Sequence, residues 1–346
     1  MALTLNKRES KEPAAKRKKA TRSERSFLST LIIRYGLLIA AIALFIIFSF
    51  LEPRFITPRN IFKIIGQGSV IGLMALGLTI IVVAGEFDIS FAAVATLCCV
   101  LSVFLIGALG MNIFLAWGIC IALSIGISLV NAVNVVKIGV PSFVATLGMM
   151  GLLEGISLWI TGGGVIYYAI MPDGFKSIGR GMIGNLVPSP VISFSLGAIV
   201  LIIFLDFTYI GRYFYAVGGS SPAARHAGVN VNKAKFLAFF IMGIIAGLSG
   251  IIMASMFGGG NPIMGGGYLF PAVIATFLGA IFLKEGLPNT LGTVVAAMLL
   301  AIIANGLVMV GLPLYIKEMV QGIILAVSVA IVCMLKPGGI PGVKMG

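Results

Sequence analysis

Apolar stretches long enough to cross a membrane recur along the chain, separated by short breaks of Gly, Pro, Asn or charged residues. A helix needs about 20 apolar residues to cross the hydrocarbon core of a bilayer. Dividing the chain on that length predicts about ten helices. They cover residues 31–51, 61–84, 89–109, 112–136, 141–160, 190–208, 235–257, 269–283, 290–311 and 316–335. The pattern predicts an all-α polytopic membrane protein.

The charges predict the sidedness of these helices. Residues 1–34 contain ten Lys or Arg and three Glu, and such a basic tail stays on the cytoplasmic face against anionic lipid. An even number of spans puts both termini in the cytoplasm. Residues 161–190 then lie outside, although they carry Lys176 and Arg180. We expect a disordered tail at 1–30, one transmembrane domain at 31–335 and a cytoplasmic tail at 336–346.

The composition excludes several classes of protein. With 59% hydrophobic and 10% charged residues, too little polar surface remains to cover a soluble globule. The net charge of +13 is concentrated in the tail, which indicates membrane lipid and not nucleic acid as the partner. Four Cys lie in apolar stretches without metal-ligand spacing. With one His and no phosphate-binding loop, we predict no catalytic residue, metal or cofactor, and any ATPase must be another polypeptide.

A polar segment at residues 211–235 interrupts the apolar pattern and contains the signals of a short capped helix. Ser220 or Ser221 is the candidate N-cap, Pro222 the first helical residue and Gly228 the left-handed stop. The predicted body consists of Ala223, Ala224, Arg225, His226 and Ala227. Its small apolar face and its cations indicate a cytoplasmic docking helix.

The 45 glycines have two interpretations where they fall inside predicted spans. They allow close contacts between helices, or they mark helices broken where backbone lines a cavity. Both suit a transporter better than a membrane anchor. The positions concerned are Gly66, Gly68, Gly72 and Gly77 in the second span, and Gly243, Gly247 and Gly250 in the seventh.

Polar residues at membrane depth are costly and mark candidate functional positions. Asp88 and Ser90 either cap the third helix or act in gating and in shaping the pathway. Glu154 lies within an apolar segment, where it meets a cation on a neighbouring helix or subunit, or contacts the solute. Gln67, Asn131 and Asn305 either join helices or contact a hydroxylated solute. A proton-coupled carrier would bury more acidic or His residues than this chain offers.

Four segments in order resemble bacterial sugar ABC importer permeases of the ribose type. They are FITPRNIFKIIGQGSVIGLMALGLTIIVVAGEFDIS, VNAVNVVKIGVPSFVATLGMMGLLEG, GRYFYAVGGSSPAARHAGVNVNKAKF and NGLVMVGLPLYIKEMVQGIILAVSVAI. The resemblance covers most of residues 55–335. It implies a permease in the bacterial inner membrane that pairs with a second permease, couples to cytoplasmic ATPase subunits and receives its solute from a binding protein.

The resemblance also implies roles for particular residues. Its signature falls on Asp88, Ile89 and Ser90, and the Asn of its second segment falls on Asn131. Its coupling helix falls on Ser221, Pro222, Ala223, Ala224, Arg225 and Gly228.

The chain departs from the pattern of such permeases at three positions. Glu154 stands where a basic residue is usual, Pro222 where an acidic one is common, and Phe91 where Val-Gly follows the signature Ser. One half of a heterodimeric pair would fit these changes. The implied solute is a monosaccharide or a similar polyhydroxylated molecule. The alternatives are a branched-chain amino acid, a nucleoside or a furanose signalling molecule, and an ATP-independent secondary transporter.

Overall fold

A computed structural model of the chain describes residues 27–169, 171–184, 187–282 and 286–335. The predicted C-terminal tail at 336–346 and most of the N-terminal tail lie outside the described residues, as do Lys284 and Glu285. The first described helix begins at Phe27, four residues before the predicted start of the transmembrane domain.

The described residues fold into helices joined by short connections. The helices are α1 Phe27–Leu51, α2 Pro58–Val83, α3 Phe91–Gly107, α4 Ile113–Ala132, α5 Ser142–Thr161, α6 Asp173–Arg180, α7 Ser189–Ile202, α8 Tyr209–Gly219, α9 Ser221–His226, α10 Val231–Phe257, α11 Gly266–Ile281, α12 Thr290–Met309 and α13 Leu314–Leu335. Pro53–Ile56 forms a 3₁₀ turn, and Val133–Ile138 and Ile203–Phe207 extend α4 and α7 as π-helix. Strands β1 Met182–Ile183 and β2 Val187–Pro188 pair antiparallel.

Seven of the described helical segments are long and apolar enough to cross a membrane, as judged by length and composition. Shorter apolar helices at Tyr35–Leu51, Phe91–Gly107 and Gly266–Ile281 coincide with the other three predicted spans. The all-α polytopic class is confirmed, whereas the number of ten spans stays a prediction. The seven are Pro58–Val83, Ile113–Ile138, Ser142–Thr161, Ser189–Phe207, Val231–Phe257, Thr290–Met309 and Leu314–Met334.

Helices α2 and α10 form the centre of the bundle, and their glycines serve close packing. α10 packs on α3, α4 and α2, while α11 and α12 pack on the other side of α2. A Cβ at Gly243 would collide with the backbone of Ile125, and one at Gly250 with the carbonyl of Ala95. Both helices are continuous. The interpretation of their glycines as helix breaks is therefore wrong, and the interpretation as close contacts is confirmed.

The backbone leaves helical geometry instead at residues 84–90 and 258–265, and the protein itself provides the hydrogen bonds there. The amide of Phe87 donates to Ser142 Oγ at 3.1 Å, and the amide of Ile89 donates to Thr146 Oγ1 at 3.3 Å. The amide of Gly265 donates to Thr96 Oγ1 at 2.9 Å. Irregular backbone within a membrane bundle needs such partners because lipid offers none.

Residues 161–190, which the sequence places between two predicted spans, contain α6 and the β1–β2 hairpin. Phe175 is buried, and the guanidinium of Arg180 donates from Nε to the carbonyl of Met256 at 2.9 Å and from Nη2 to that of Phe257 at 2.5 Å. A cation that binds the last carbonyls of α10 stabilises the end of that helix. Arg180, which complicated the sidedness prediction, thus has a structural role.

Candidate functional site

Helix α9 has the capped form that its sequence predicts. Ser220 is the N-cap and its Oγ accepts from the amide of Ala223 at 3.4 Å, while Ser221 Oγ donates to the carbonyl of Val217 at 3.0 Å. The helix ends at His226, and Gly228 adopts φ 84°. That left-handed conformation favours Gly because it has no Cβ. Sequence reasoning missed α8, which directly precedes α9 and buries Phe214 and Val217.

The exposed surface of α9 differs from the predicted one at Ala224. Pro222, Ala223, Arg225 and Gly228 are exposed and Ser221 is half-buried, but Ala224 is only 4% exposed and packs inside the chain. The helix face available to a partner is therefore centred on Ala223 and not on Ala224. Next to it lies a cavity of about 380 Å³ lined by Arg225, Gly228, Val229, Asn230, Val231 and Asn232.

The α8–α9 segment contacts the irregular backbone that follows α2. Gly218 at the end of α8 lies so close to Val83 and Gly85 that a Cβ would collide with the Val83 carbonyl. Lys235 near the start of α10 donates to Glu86 Oε1, and both side chains are largely buried. Residues 84–90 are thus contacted both by α8, which precedes α9, and by α10, which follows it. Sequence reasoning missed this ion pair because the partners are far apart in the chain.

Three of the predicted pathway residues meet in one buried network. Asp88 Oδ1 accepts from the amide of Ser90 at 2.7 Å and from its hydroxyl at 2.6 Å. Asn131 Nδ2 donates to Ser90 Oγ at 2.9 Å. Ser90 stands at the N-cap position of α3, but its side chain makes no capping hydrogen bond. The network connects residues 84–90 to α4, so that it joins the irregular segment to the bundle.

We expect Asn131→Leu to lower the free energy of unfolding by about 1–3 kcal/mol, because it removes a buried hydrogen bond from this network. Thermal unfolding in detergent measures the loss. Asn134→Leu is the matched control one turn away, since that side chain is half-buried and is expected to change stability by less than about 0.5 kcal/mol. Equal losses in the two variants would contradict a special role for Asn131.

Asn305 lies in a second polar contact, at the other end of α2. Its Oδ1 accepts from Asn60 Nδ2 at 3.0 Å, and the same amide nitrogen of Asn60 donates to the carbonyl of Phe55 at 2.9 Å. Both Asn side chains are buried. This geometry joins α12 to the start of α2. Of the two roles that the sequence allowed for Asn305, it matches the joining of helices.

Glu154 lies on a thinly packed face of α5. The side chain is half-buried, and a Cβ at Gly151 or Gly155 beside it would meet nothing within 4 Å. No cation from residues 35–335, as far as the structure describes them, pairs with Glu154. The expected cation is thus absent from this part of the chain, and a cation on a second subunit stays a prediction.

Gln67 lines a cavity of about 210 Å³ between α2, α11, α12 and α13. Tyr268, Lys317 and Gln321 line the same cavity, and sequence reasoning identified none of the three. Lys317 and Gln321 lie four residues apart, and hence on one face of an apolar helix. Two polar residues at that spacing were the sequence signal that could have identified this cavity wall.

The chain is similar to bacterial import permeases over most of its length. The family model for "Branched-chain amino acid transport system / permease component" matches residues 60–329. The chain is 32% identical to the ribose import permease protein RbsC of Escherichia coli K12 over 89% of this chain and 96% of that protein. It is 28% identical to the RbsC of Bacillus subtilis strain 168, over 89% and 95%.

A third relative is named for a different cargo. The autoinducer 2 import system permease protein LsrC of Photorhabdus luminescens is 29% identical over 83% of this chain and 86% of that protein. No solved structure matches the chain significantly. On the family match and the similarity to RbsC, the chain belongs to the family of membrane-spanning permease components of import systems.

Proposed function

We propose that this chain is the permease subunit of an ATP-binding-cassette importer that moves a monosaccharide or a similar polyhydroxylated solute into the cytoplasm by alternating access. Its similarity to ribose import permeases supports the solute class. The single observation that carries the mechanism is the exposed, capped α9, which is tied to residues 84–90 by Gly218 and by the Lys235–Glu86 pair.

The partners follow from this mechanism. The chain pairs with a second permease subunit, identical or different, and cytoplasmic ATPase subunits bind around Ala223. A periplasmic or lipid-anchored binding protein delivers the solute to the other face. In this arrangement α9 and both chain termini are cytoplasmic, and the chain lies in the bacterial inner membrane as a multi-pass protein.

Movement of α9 reaches the buried network through short contacts. A shift of the α8–α9 segment displaces Gly218 against Val83 and Gly85, and a shift of the start of α10 pulls Glu86 through Lys235. Asp88 and Ser90 belong to the same segment and move with it. The ATPase therefore biases two arrangements of residues 84–90.

Transport by the assembled complex tests the function. The permease, its ATPase and its binding protein are reconstituted in vesicles and offered labelled D-ribose, D-xylose, autoinducer 2, leucine and uridine. We expect ATP-dependent uptake of a sugar and none of leucine or uridine. Full uptake by the permease without ATPase would establish the secondary-transporter alternative, and uptake of leucine alone would overturn the solute class.

Autoinducer 2 is the second candidate, since LsrC and an LsrD protein are both similar to the chain. Preferential uptake of autoinducer 2 over D-ribose in the same assay would select it.

A further inference from the structure

The cavity between α2, α11, α12 and α13 lies in the half of the bundle away from α9. Gln67 is the tenth residue of α2, about 14 Å from the start of that helix at 1.5 Å per residue. Lys317 and Gln321 fall in the first eight residues of α13, and Ala304 of the cavity wall lies in the last third of α12. Gly218, which lies just before α9, by contrast contacts Val83 and Gly85 at the opposite end of α2. In the proposed orientation the cavity is on the periplasmic side.

Gln321 is the most informative side chain in the wall. It is 4% exposed, it faces the cavity, and the described part of the chain offers its amide no hydrogen-bond partner. The amide atoms are not sealed off from this open space. A ligand or ordered water in the cavity can therefore complete their hydrogen bonds.

Two more polar residues of the wall are half-buried. Gln67 and Tyr268 line the cavity, and no described residue hydrogen-bonds to either side chain. Amides and hydroxyls both donate and accept, which matches the alternating needs of solute hydroxyl groups. The ring of Tyr268 adds an apolar surface for the C–H face of a sugar.

The charge of the wall favours a neutral ligand. Lys317 Nζ lies 3.3 Å from Glu318 Oε1, so that its positive charge is already balanced within α13. Lys317 can still donate a hydrogen bond, but it does not make the cavity a site for anions. The volume of about 210 Å³ is several times the roughly 30 Å³ that one water molecule occupies in the liquid.

The polar wall sets this cavity apart from a larger one. That cavity, of about 570 Å³ between α7 and α10, is lined mainly by apolar side chains such as Leu196, Val200, Phe204 and Phe240. A lipid chain suits such a groove, whereas unpartnered amides suit a hydroxylated solute.

We propose that Gln67, Tyr268, Lys317 and Gln321 form a binding subsite for a neutral polyhydroxylated solute on the periplasmic side of the permease. The inference rests on the proposed import function and deepens it by naming where the solute binds after the binding protein releases it.

Gly267 allows a direct test, because it lines the cavity in the first turn of α11. A Cβ at Gly267 would meet nothing within 4 Å, so Gly267→Leu introduces bulk at the cavity wall without moving the backbone. Gly266 is the matched control. It is also exposed and free of contacts at the Cβ position, but it does not line the cavity.

The assay measures uptake of labelled D-ribose, or of another sugar that the wild type transports, by the complete importer in vesicles. We expect Gly267→Leu to lower uptake at least about tenfold and Gly266→Leu to stay within about twofold of the wild type. Gln321→Leu is expected to raise KM about tenfold, as for one lost hydrogen bond to the solute. Thermal unfolding in detergent and copurification of the ATPase verify that each variant folds and assembles.

The outcomes separate the two proposals. Wild-type uptake of a sugar, with unchanged KM and rate in folded Gly267→Leu and Gln321→Leu variants, overturns the subsite alone. A wild-type complex that takes up no sugar of the panel overturns the proposed function and the subsite with it. A folded Gly266→Leu variant as impaired as Gly267→Leu would also overturn the subsite, since bulk at the cavity wall would then not be the cause.

Discussion

Ala223→Trp is expected to reduce ATP-driven uptake more than about a hundredfold while the permease stays folded. Ala223 is exposed at the centre of α9, so the new ring projects into the space where the ATPase would bind and not into the core. Interfaces packed around small residues do not accept a large side chain without separation of the two surfaces. The measurements are solute uptake and copurification of the ATPase with the permease.

Ala108→Trp is the control for this variant. Ala108 is also exposed, but it follows α3 at the other end of that helix from residues 84–90. We expect normal ATPase binding in Ala108→Trp. Ala224→Trp is expected to behave differently from both, since Ala224 is buried and the ring would disrupt the fold itself. Normal uptake by folded Ala223→Trp would overturn the assignment of α9 as the coupling helix.

Breaking the pair between Lys235 and Glu86 is expected to cost about 2–3 kcal/mol of stability and to uncouple ATP hydrolysis from transport. Lys235→Met leaves the Glu86 carboxylate buried without its cation, and Glu86→Gln leaves the ammonium without its anion. The side chains of Lys235 and Glu86 are 19% and 10% exposed. Removing one partner from a fully buried pair costs about 3–5 kcal/mol, and this residual exposure lowers the expected value.

The double variant Glu86→Gln/Lys235→Met distinguishes an unpaired charge from a lost contact. It leaves no buried charge, so its stability is expected to recover to within about 1 kcal/mol of the wild type. Its transport is expected to stay impaired, because nothing then links the start of α10 to residues 84–90. Thermal unfolding and the number of solutes moved per ATP measure the two effects. Full transport by the stable double variant would show that the pair stabilises the fold without coupling.

The contact of Gly218 with Val83 lies at the end of α2, and the proposed subsite lies in the first half of that helix. This helix is buried along most of its length and connects Gln67 to the Val83–Gly218 contact. Alternating access needs such a connection, because a change at the ATPase side must alter the affinity for solute on the other side. The combined set of variants tests each end separately.

The sequence by itself determined the class of protein and the local form of α9. Spans of about 20 apolar residues are a local signal, and so are Ser220, Pro222 and Gly228 around a short helix, because caps act within one turn. The class and the capped helix are therefore confirmed, and the resemblance to sugar importer permeases agrees with the family match.

Only the tertiary structure decided which polar groups meet. The packing of helices distant in the chain joins Ser90 to Asn131 and Glu86 to Lys235, and it places Gln67 and Gln321 in the wall of one cavity. The burial of Ala224 beside the exposed Ala223 likewise depends on neighbouring helices. Helix-forming signals act within a few residues, whereas the partner of a buried amide or carboxylate depends on how whole helices pack, which no local pattern encodes.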